Sequence, residues 1–124
     1  MRKQRYLTPV VGTAGAVAQA ATVYSEAINV QDLEDALMAL QIASTAGSIT
    51  ITMEASMTGA DNTWYAAQNA AGTTLSAVIA TMTVGTKFVV FTPLFAPFIR
   101  FKVVEGNVAA TVVTLKIMFK RRKQ

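Results

Sequence analysis

The stretch SITITMEAS, Ser48 to Ser56, is the clearest structural signal in the sequence, because apolar and polar residues alternate strictly along it. Ile49, Ile51 and Met53 fall on one side, and the threonines and Glu54 fall on the other. A period of two with β-branched residues is typical of a strand that buries one face. The stretch therefore predicts a half-buried β-strand.

Other stretches carry related patterns. Residues 110–120, ATVVTLKIMFK, and residues 97–104, PFIRFKVV, each have an apolar side and a side that contains basic residues, which predicts strands with one wet face. Residues 86–93, TKFVVFTP, are almost continuously apolar, which predicts a strand buried on both sides or against a partner. Shorter or weaker strands are predicted at residues 21–29, 63–68 and 73–84.

The segment NVQDLEDALMALQIAS, residues 29–44, fits two structures. Its leucines recur at helical spacing, and the acidic residues near its start suit the first turn of a helix. However, Met38, Leu40 and Ile42 also alternate with their neighbours, and the following TAGS resembles a hairpin connection. We favour a turn at residues 31–35 followed by a strand, and a helix is the alternative.

Short strands with a turn signal about every ten residues, without a long helix, indicate an all-β fold. We predict an antiparallel β-sandwich of about eight strands with jelly-roll or immunoglobulin-like topology. The expected organisation is an extended basic N-terminal arm at residues 1–21, the sandwich at residues 22–119 and a basic C-terminal tip at residues 120–124. The arm also resembles a secretory signal, but polar and turn-forming residues interrupt its apolar part, so an uncleaved arm is preferred.

The composition favours an assembled protein over an enzyme. Hydrophobic residues make up 52% of the chain and charged residues 15%, well below the usual quarter. So few charges leave apolar surface exposed on a monomer, which indicates an oligomer or incorporation into a larger assembly. The absence of cysteine and histidine removes the thiol nucleophile, disulfides, thiolate zinc sites and the commonest general base. We therefore expect no catalytic site, no cofactor, no metal site and no membrane span.

The net charge of +4 is distributed unevenly. Seven basic residues lie at the two tips, and the four basic and seven acidic residues between them leave the body at −3. Such tips are typical of tethers to a negative partner, and solvated ends are the alternative. We favour a neighbouring protein subunit as the partner over nucleic acid. The seven residues are Arg2, Lys3, Arg5, Lys120, Arg121, Arg122 and Lys123.

Two smaller groups of charges also bear on partners. Asp32, Glu34 and Asp35 form an acidic cluster, which predicts a solvated turn or a docking point for a neighbour's basic tip. Arg100 and Lys102 share the wet side of one predicted strand, but two residues do not form the basic stripe typical of nucleic-acid binding.

Apolar residues add further candidates for partner binding. Leu94 and Phe95 lie between two prolines, which stop strand pairing and predict an exposed apolar tip that inserts into a partner. Tyr6 follows the basic residues of the arm. The predicted partner-binding set is therefore the seven basic residues of the tips together with Tyr6, Leu94 and Phe95.

The stretch ASMTGADNTWYAAQ, residues 55–68, supports an alternative function. Trp64 and Tyr65 would form a platform for a sugar ring, and Asp61 and Asn62 would hydrogen-bond its hydroxyls, as in a carbohydrate-binding module. Adjacent strand residues point to opposite faces, however, so both rings cannot line one flat platform without a bulge. A turn followed by a strand with one inward aromatic residue is the favoured interpretation.

The pattern EASMTGADNTW, residues 54–64, followed by PLFAPFIRFKVVEGNVAATVVTLKI, residues 93–117, resembles small β-sandwich structural proteins of tailed-phage virions. The resemblance implies capsid decoration or cement proteins, head fibres, or minor tail and neck components, which commonly self-associate as trimers or rings and have no catalytic activity. We therefore predict a non-enzymatic virion protein, assembled in the host cytoplasm. Its expected partners are copies of itself and other virion proteins such as the major capsid protein.

Overall fold

A computed structural model describes residues 3–31, 33–66, 70–71, 78–91 and 96–121 of the chain. These residues form strands joined by turns, with no helix among them, which confirms the predicted all-β fold. The strands are β1 (Lys3–Leu7), β2 (Ala16–Val17), β3 (Thr22–Tyr24), β4 (Ile28–Asn29), β5 (Leu33–Ser44), β6 (Ile49–Ser56), β7 (Val78–Met82), β8 (Gly85–Phe91), β9 (Phe98–Glu105) and β10 (Thr111–Arg121).

The strands form two antiparallel sheets that pack as a sandwich. The first sheet has the order β1-β10-β5-β8, and the short strand β2 also pairs with β10. The second sheet has the order β3-β9-β6-β7, and the short strand β4 also pairs with β9. Strands β8 and β7 therefore form edges of the two sheets, and they contact each other.

The core lies between the sheets and follows the alternation in the sequence. Strands β6, β9 and β10 bury every second residue, as a period of two requires when one face is covered. Apolar side chains on these inner positions are almost fully removed from water. They are Ile49, Ile51 and Met53 of β6, Ile99, Phe101 and Val103 of β9, and Val113, Leu115, Ile117 and Phe119 of β10.

In the ambiguous segment at residues 29–44, Leu33–Ser44 form a strand. Met38, Leu40 and Ile42 of β5 are buried in the core, so the alternating pattern and not the helical spacing describes it. The strand begins at Leu33, inside the range predicted as a turn. Pairing with β10 on one side and β8 on the other outweighs the helix propensity of its leucines and alanines.

Strand β8 is not buried on both sides by this chain, so the first of its two predicted environments is wrong, and burial against a partner stays a prediction. It is an edge strand, and Phe88 and Val90 are 63% and 60% exposed. Val89 and Phe91 pack against the core from the opposite side. The continuous apolar run therefore reflects one core-facing side and one apolar side that faces outward.

The weaker strand predictions are confirmed only in part. Residues 21–29 divide into β3 and β4, because Ser25 lies between them and exchanges hydrogen bonds with Phe101. In residues 63–68, Tyr65 forms an isolated bridge to Ala55. Strand β7 covers the later part of residues 73–84, and residues 72–77 lie outside the described part of the chain.

The described part of the expected arm is extended but packs on this chain's own sandwich. Strand β1 pairs with β10, and Val11 and Val17 are buried in the core. Gly15 lies between them at φ +84°, and its carbonyl accepts a hydrogen bond of 2.9 Å from Val113 N–H. A Cβ at Gly15 would lie 2.6 Å from the Val113 carbonyl oxygen, so the close approach requires glycine.

Candidate interaction surface

The outward side of the first sheet carries a row of apolar residues across all four strands. The registers place Tyr6 opposite Met118, Met118 opposite Ala39, and Ala39 opposite Val90. Tyr6 is 67% exposed, whereas the small Ala39 is 8% exposed because it lies between larger neighbours. The row therefore presents a continuous apolar band to its surroundings.

The next two rows on the same side of the sheet are mainly polar but carry little charge. Lys116, Gln41 and Phe88 form the second row, and threonine and alanine residues of β10, β5 and β8 form the third. Lys116 is the single charged residue of the three rows. We call Tyr6, Ala39, Phe88, Val90 and Met118 the outer apolar face. A sheet face this poor in charge is typical of a surface that contacts another protein.

The free edge of β8, beside the outer apolar face, carries a lysine that disfavours the addition of another strand. Lys87 of β8 lies opposite Ile42, on the core-facing side of the strand, and its Nζ donates a hydrogen bond of 3.0 Å to the Thr81 carbonyl of β7. Lys87 is exposed, and a lysine on an edge strand is a common device for blocking edge-to-edge pairing. The arrangement favours contacts through the outer apolar face over contacts through the β8 edge.

Pairing of β1 with β10 brings the two basic tips together. Lys3 lies opposite Arg121, Gln4 opposite Lys120, and Arg5 opposite Phe119. We call the part of the molecule formed by the start of β1 and the end of β10 the basic end. The sequence did not reveal this juxtaposition, because the two tips lie at opposite ends of the chain. The remaining predicted partner-binding residues lie outside the described residues: Arg2, Leu94, Phe95, Arg122 and Lys123.

The four residues of the sugar-binding alternative do not form one platform. Asp61 and Asn62 are exposed in a turn, where Asn62 has a φ of +64°, as expected for a turn residue. Trp64 packs on Arg100 of β9, whereas Tyr65 is exposed and bridges Ala55. Adjacent positions send the two rings to opposite sides of the second sheet. The two rings therefore form no shared aromatic surface, and carbohydrate binding stays a prediction.

Arg100 holds the loop that carries Trp64. Its Cζ lies 3.9 Å from the centroid of the Tyr24 ring and 4.8 Å from that of Trp64. Its Nε donates a hydrogen bond of 2.8 Å to Glu54, the residue directly across on β6. Cation–π contacts and a cross-strand ion pair both stabilise this arrangement. One face of the indole is therefore covered by the guanidinium group, and Arg100 is already paired with a carboxylate.

Glu105 is a buried carboxylate that the sequence analysis did not single out. It accepts hydrogen bonds from the backbone N–H groups of Ala20 at 2.8 Å, Ser48 at 3.0 Å and Val108 at 3.0 Å. The hydrogen bond from Ala20 N–H has the largest effect, and together these bonds lower the pKa of Glu105 to about 2. The alternation of Ile99, Phe101, Val103 and Glu105 would have placed it on the core side of its strand.

Stability is expected to depend on pH through Glu105. Because the pKa is lowered from 4.5 to about 2 in the folded protein, the carboxylate contributes stability above pH 4.5, and this contribution is lost as the pH falls towards 2. Glu105→Gln should lower the melting temperature at neutral pH and flatten its decline between these values. Thermal unfolding followed by circular dichroism over a pH series measures both effects. Asp61→Asn, a change at an exposed carboxylate, is the control, and an unchanged pH profile in Glu105→Gln would contradict the assignment.

An open groove of about 230 Å³ lies between the segment at residues 8–15 and β10, and the residues that line it contain no titratable side chain. Histidine, cysteine, aspartate and glutamate residues of the described ranges form no group of three that could hold a metal ion. Within the same ranges, no helix has the length and apolar character needed to cross a membrane.

Comparison with known proteins shows the fold. No known protein family and no curated protein matches the sequence. Among solved structures, the chain is similar to the SPBc2 prophage-derived protein YomS, with 14% identity over 97% of this chain and 95% of that chain and a TM-score of 0.57. It is similar to the PBSX exported protein XepA, with 17% identity over 98% of this chain and a TM-score of 0.54, and it spans 38% of the XepA chain.

A third similar structure is that of the Bacillus endospore appendages, which form a family of disulfide-linked pili. The identity is 12% over 99% of this chain and 90% of that chain, with a TM-score of 0.51. At such identities the likeness extends to the β-sandwich alone. One of the three, YomS, is described as a prophage-derived protein.

Proposed function

We propose that the protein is a non-enzymatic structural component of a phage virion, which self-associates and docks on neighbouring capsid or tail subunits. The observation that carries this proposal is the outer apolar face, on which Tyr6, Phe88 and Val90 are each at least 60% exposed. A sandwich fold like that of the prophage-derived protein YomS supports the assignment to a phage particle. Within the particle, we propose that it serves as a decoration or cement protein, or as a minor tail or neck protein.

The energetics of the face favour a contact with more than one side chain. Covering the exposed part of Tyr6, Phe88 or Val90 contributes about 1–2 kcal/mol each. Association itself costs about 4–15 kcal/mol in lost translational and rotational freedom. One copy's three side chains offset only part of this cost. A symmetric contact that uses the face twice contributes about 6–12 kcal/mol, which is comparable with this cost, and a contact with a larger capsid subunit buries further apolar area.

The charges of the molecule support a binding role over a catalytic one. Glu54 is committed to Arg100, and Glu105 is committed to backbone N–H groups. Both carboxylates are therefore engaged in interactions within the chain, and the acidic residues of the described ranges form no group of three that could hold a metal ion.

Loss of the outer apolar face is expected to weaken assembly without unfolding the protein. Phe88→Ser combined with Val90→Ser should shift a defined oligomer towards monomer, with an association constant lowered about 100-fold, because each copy loses two exposed apolar side chains at the contact. Size-exclusion chromatography with light scattering measures the shift. Sedimentation with phage capsids measures docking.

The matched control is Met57→Ser combined with Val108→Ser, which removes exposed apolar side chains outside the outer apolar face. We expect this variant to assemble like the original protein. Both variants should unfold within about 1 kcal/mol of the original, because exposed positions contribute little to stability. An original protein that is monomeric and ignores capsids, or an equal loss of assembly in the control, would count against the proposal.

A further inference from the structure

The pairing of the N-terminal segment with β10 is interrupted in the first sheet. Leu7 lies opposite Ile117 on one side of the interruption, and the Gly15 carbonyl accepts a hydrogen bond from Val113 N–H on the other. Between these two points the N-terminal segment has seven residues, whereas β10 has only three. The segment therefore leaves β10 over this stretch and returns to it at Gly15.

The intervening residues bond to the edge of the second sheet instead. The N–H of Gly12 donates to the Tyr24 carbonyl at 3.0 Å, and the N–H of Glu26 donates to the Val10 carbonyl at 2.9 Å. Pro9, in the same stretch, has no N–H to offer to β10. The edge of β10 is consequently uncovered where the segment crosses from one sheet to the other.

Leu115 lies at the middle of the uncovered edge. The backbone polar groups of successive strand residues point to alternate sides, and the N–H of Val113 points towards the N-terminal segment, so the N–H and C=O of Leu115 point the same way. No backbone hydrogen bond joins Leu115 to residues 8–15, all of which the structure describes. Its two polar groups therefore face the open groove of about 230 Å³ between this segment and β10.

The chemistry of the groove indicates what it can hold. Its lining combines proline, valine, alanine, glycine and leucine with Thr8 and Thr114, so an ionic ligand would find no opposite charge there. A donor and an acceptor of one residue on a strand edge are satisfied together by one residue of an extended peptide, which exchanges two hydrogen bonds with it. The three uncovered residues of β10 span about 10 Å, which matches about three residues of such a peptide.

We propose that this groove binds a short, uncharged, extended segment of another polypeptide chain, which adds to β10 between Leu7 and Gly15. The central residue of the segment donates to the Leu115 carbonyl and accepts from the Leu115 N–H, and small apolar side chains contact Pro9 and Val10 on the wall of the groove. The site is separate from the outer apolar face, so its tests are independent of the assembly experiments.

Hydrogen exchange of the full-length protein, followed by NMR, tests the uncovered edge. The Leu115 amide should exchange at least about 10-fold faster than the Val113 amide, because only Val113 N–H is bonded to the N-terminal segment. Equal protection of the two amides in the free protein would overturn the proposal.

The binding test is an NMR titration of the full-length protein with acetyl-Ala-Val-Ala-amide, an uncharged peptide of three residues. We expect saturable shifts of the Leu115 amide with a dissociation constant of about 0.1–1 mM, because so small a contact offsets little of the cost of association. The same peptide with a methyl group on its valine nitrogen cannot donate to the Leu115 carbonyl and should bind at least about 10-fold more weakly. The absence of saturable shifts up to about 10 mM peptide, or equal binding of the two peptides, would refute the proposal.

Thr114→Arg places a long charged side chain beside the groove and should weaken binding of the unmethylated peptide at least about 10-fold. Thr8→Arg, on the opposite wall, should do the same and replaces it if that variant fails to fold. The matched control is Thr86→Arg, an exposed position in the same row of the sheet as Thr114 but outside the groove. We expect the control to bind like the original protein, and an equal loss in the control would overturn the proposal.

Discussion

A chain truncated to residues 22–124 is expected not to fold cooperatively, whereas a chain truncated to residues 8–124 is expected to keep the sandwich. Val11 and Val17 are part of the core, and burial of each contributes about 1.5–3 kcal/mol. Ala20 N–H also donates to Glu105. Removing all three contacts takes away a large share of the roughly 5–15 kcal/mol that stabilises a small domain.

The shorter truncation removes only β1, which pairs with one edge of β10. Its loss should lower the free energy of unfolding by about 1–3 kcal/mol, because Leu7 is partly buried and Tyr6 is exposed. Urea titration followed by circular dichroism and by Trp64 fluorescence distinguishes the two chains. A cooperative transition for residues 22–124, close to that of the full chain, would show that residues 8–21 are an accessory arm.

Phe101→Ala is expected to lower the free energy of unfolding by about 3–5 kcal/mol. Phe101 is fully buried at the centre of β9. Its ring meets that of Phe91 edge-on, with centroids 6.0 Å apart and planes at 84°. The alanine variant loses this contact and leaves a cavity between the sheets, because a close-packed interior relaxes only partly. Differential scanning calorimetry should show a melting temperature about 10–20 °C lower.

Phe88→Ala is the matched control, since it removes the same atoms from an exposed position on β8. We expect it to change the free energy of unfolding of the monomer by less than about 1 kcal/mol. The comparison also tests the outer apolar face. If Phe88→Ala were as damaging as Phe101→Ala at concentrations where the protein is monomeric, then Phe88 would belong to the core.

The alternation of apolar and polar residues in the sequence predicted the strands that have one buried side and one solvent-facing side. Ile49, Ile51 and Met53 are in the core as predicted, and so are the inner residues of β9 and β10. The pattern works there because a one-residue slip would reverse both faces of the strand. The same alternation favoured a strand over a helix for the segment that forms β5, although the spacing of its leucines fitted a helix.

Features that depend on pairing between distant segments were not predictable. Residues 8–21 are rich in glycine, alanine and threonine and lack alternation, yet Gly15 and positive-φ residues such as Ala14 and Ala20 bring them onto β10. Both sides of β8 are largely apolar, so the sequence alone does not show which side faces the core and which faces outward. Short sequence patterns do not specify strand order and register. The convergence of the two basic tips depends on both, and so does the pairing of Arg100 with Glu54.

The position of β10 in the first sheet affects how the chain folds during its synthesis. This strand follows every other described strand in the sequence, yet it lies between β1 and β5 and pairs with both. Until it leaves the ribosome, β1 and β5 have no common neighbour, and the apolar inner side of β5 has no complete sheet to join. Folding of this sheet is therefore expected only after β10 has been synthesised, at a rate limited by contacts between segments that lie far apart in the sequence.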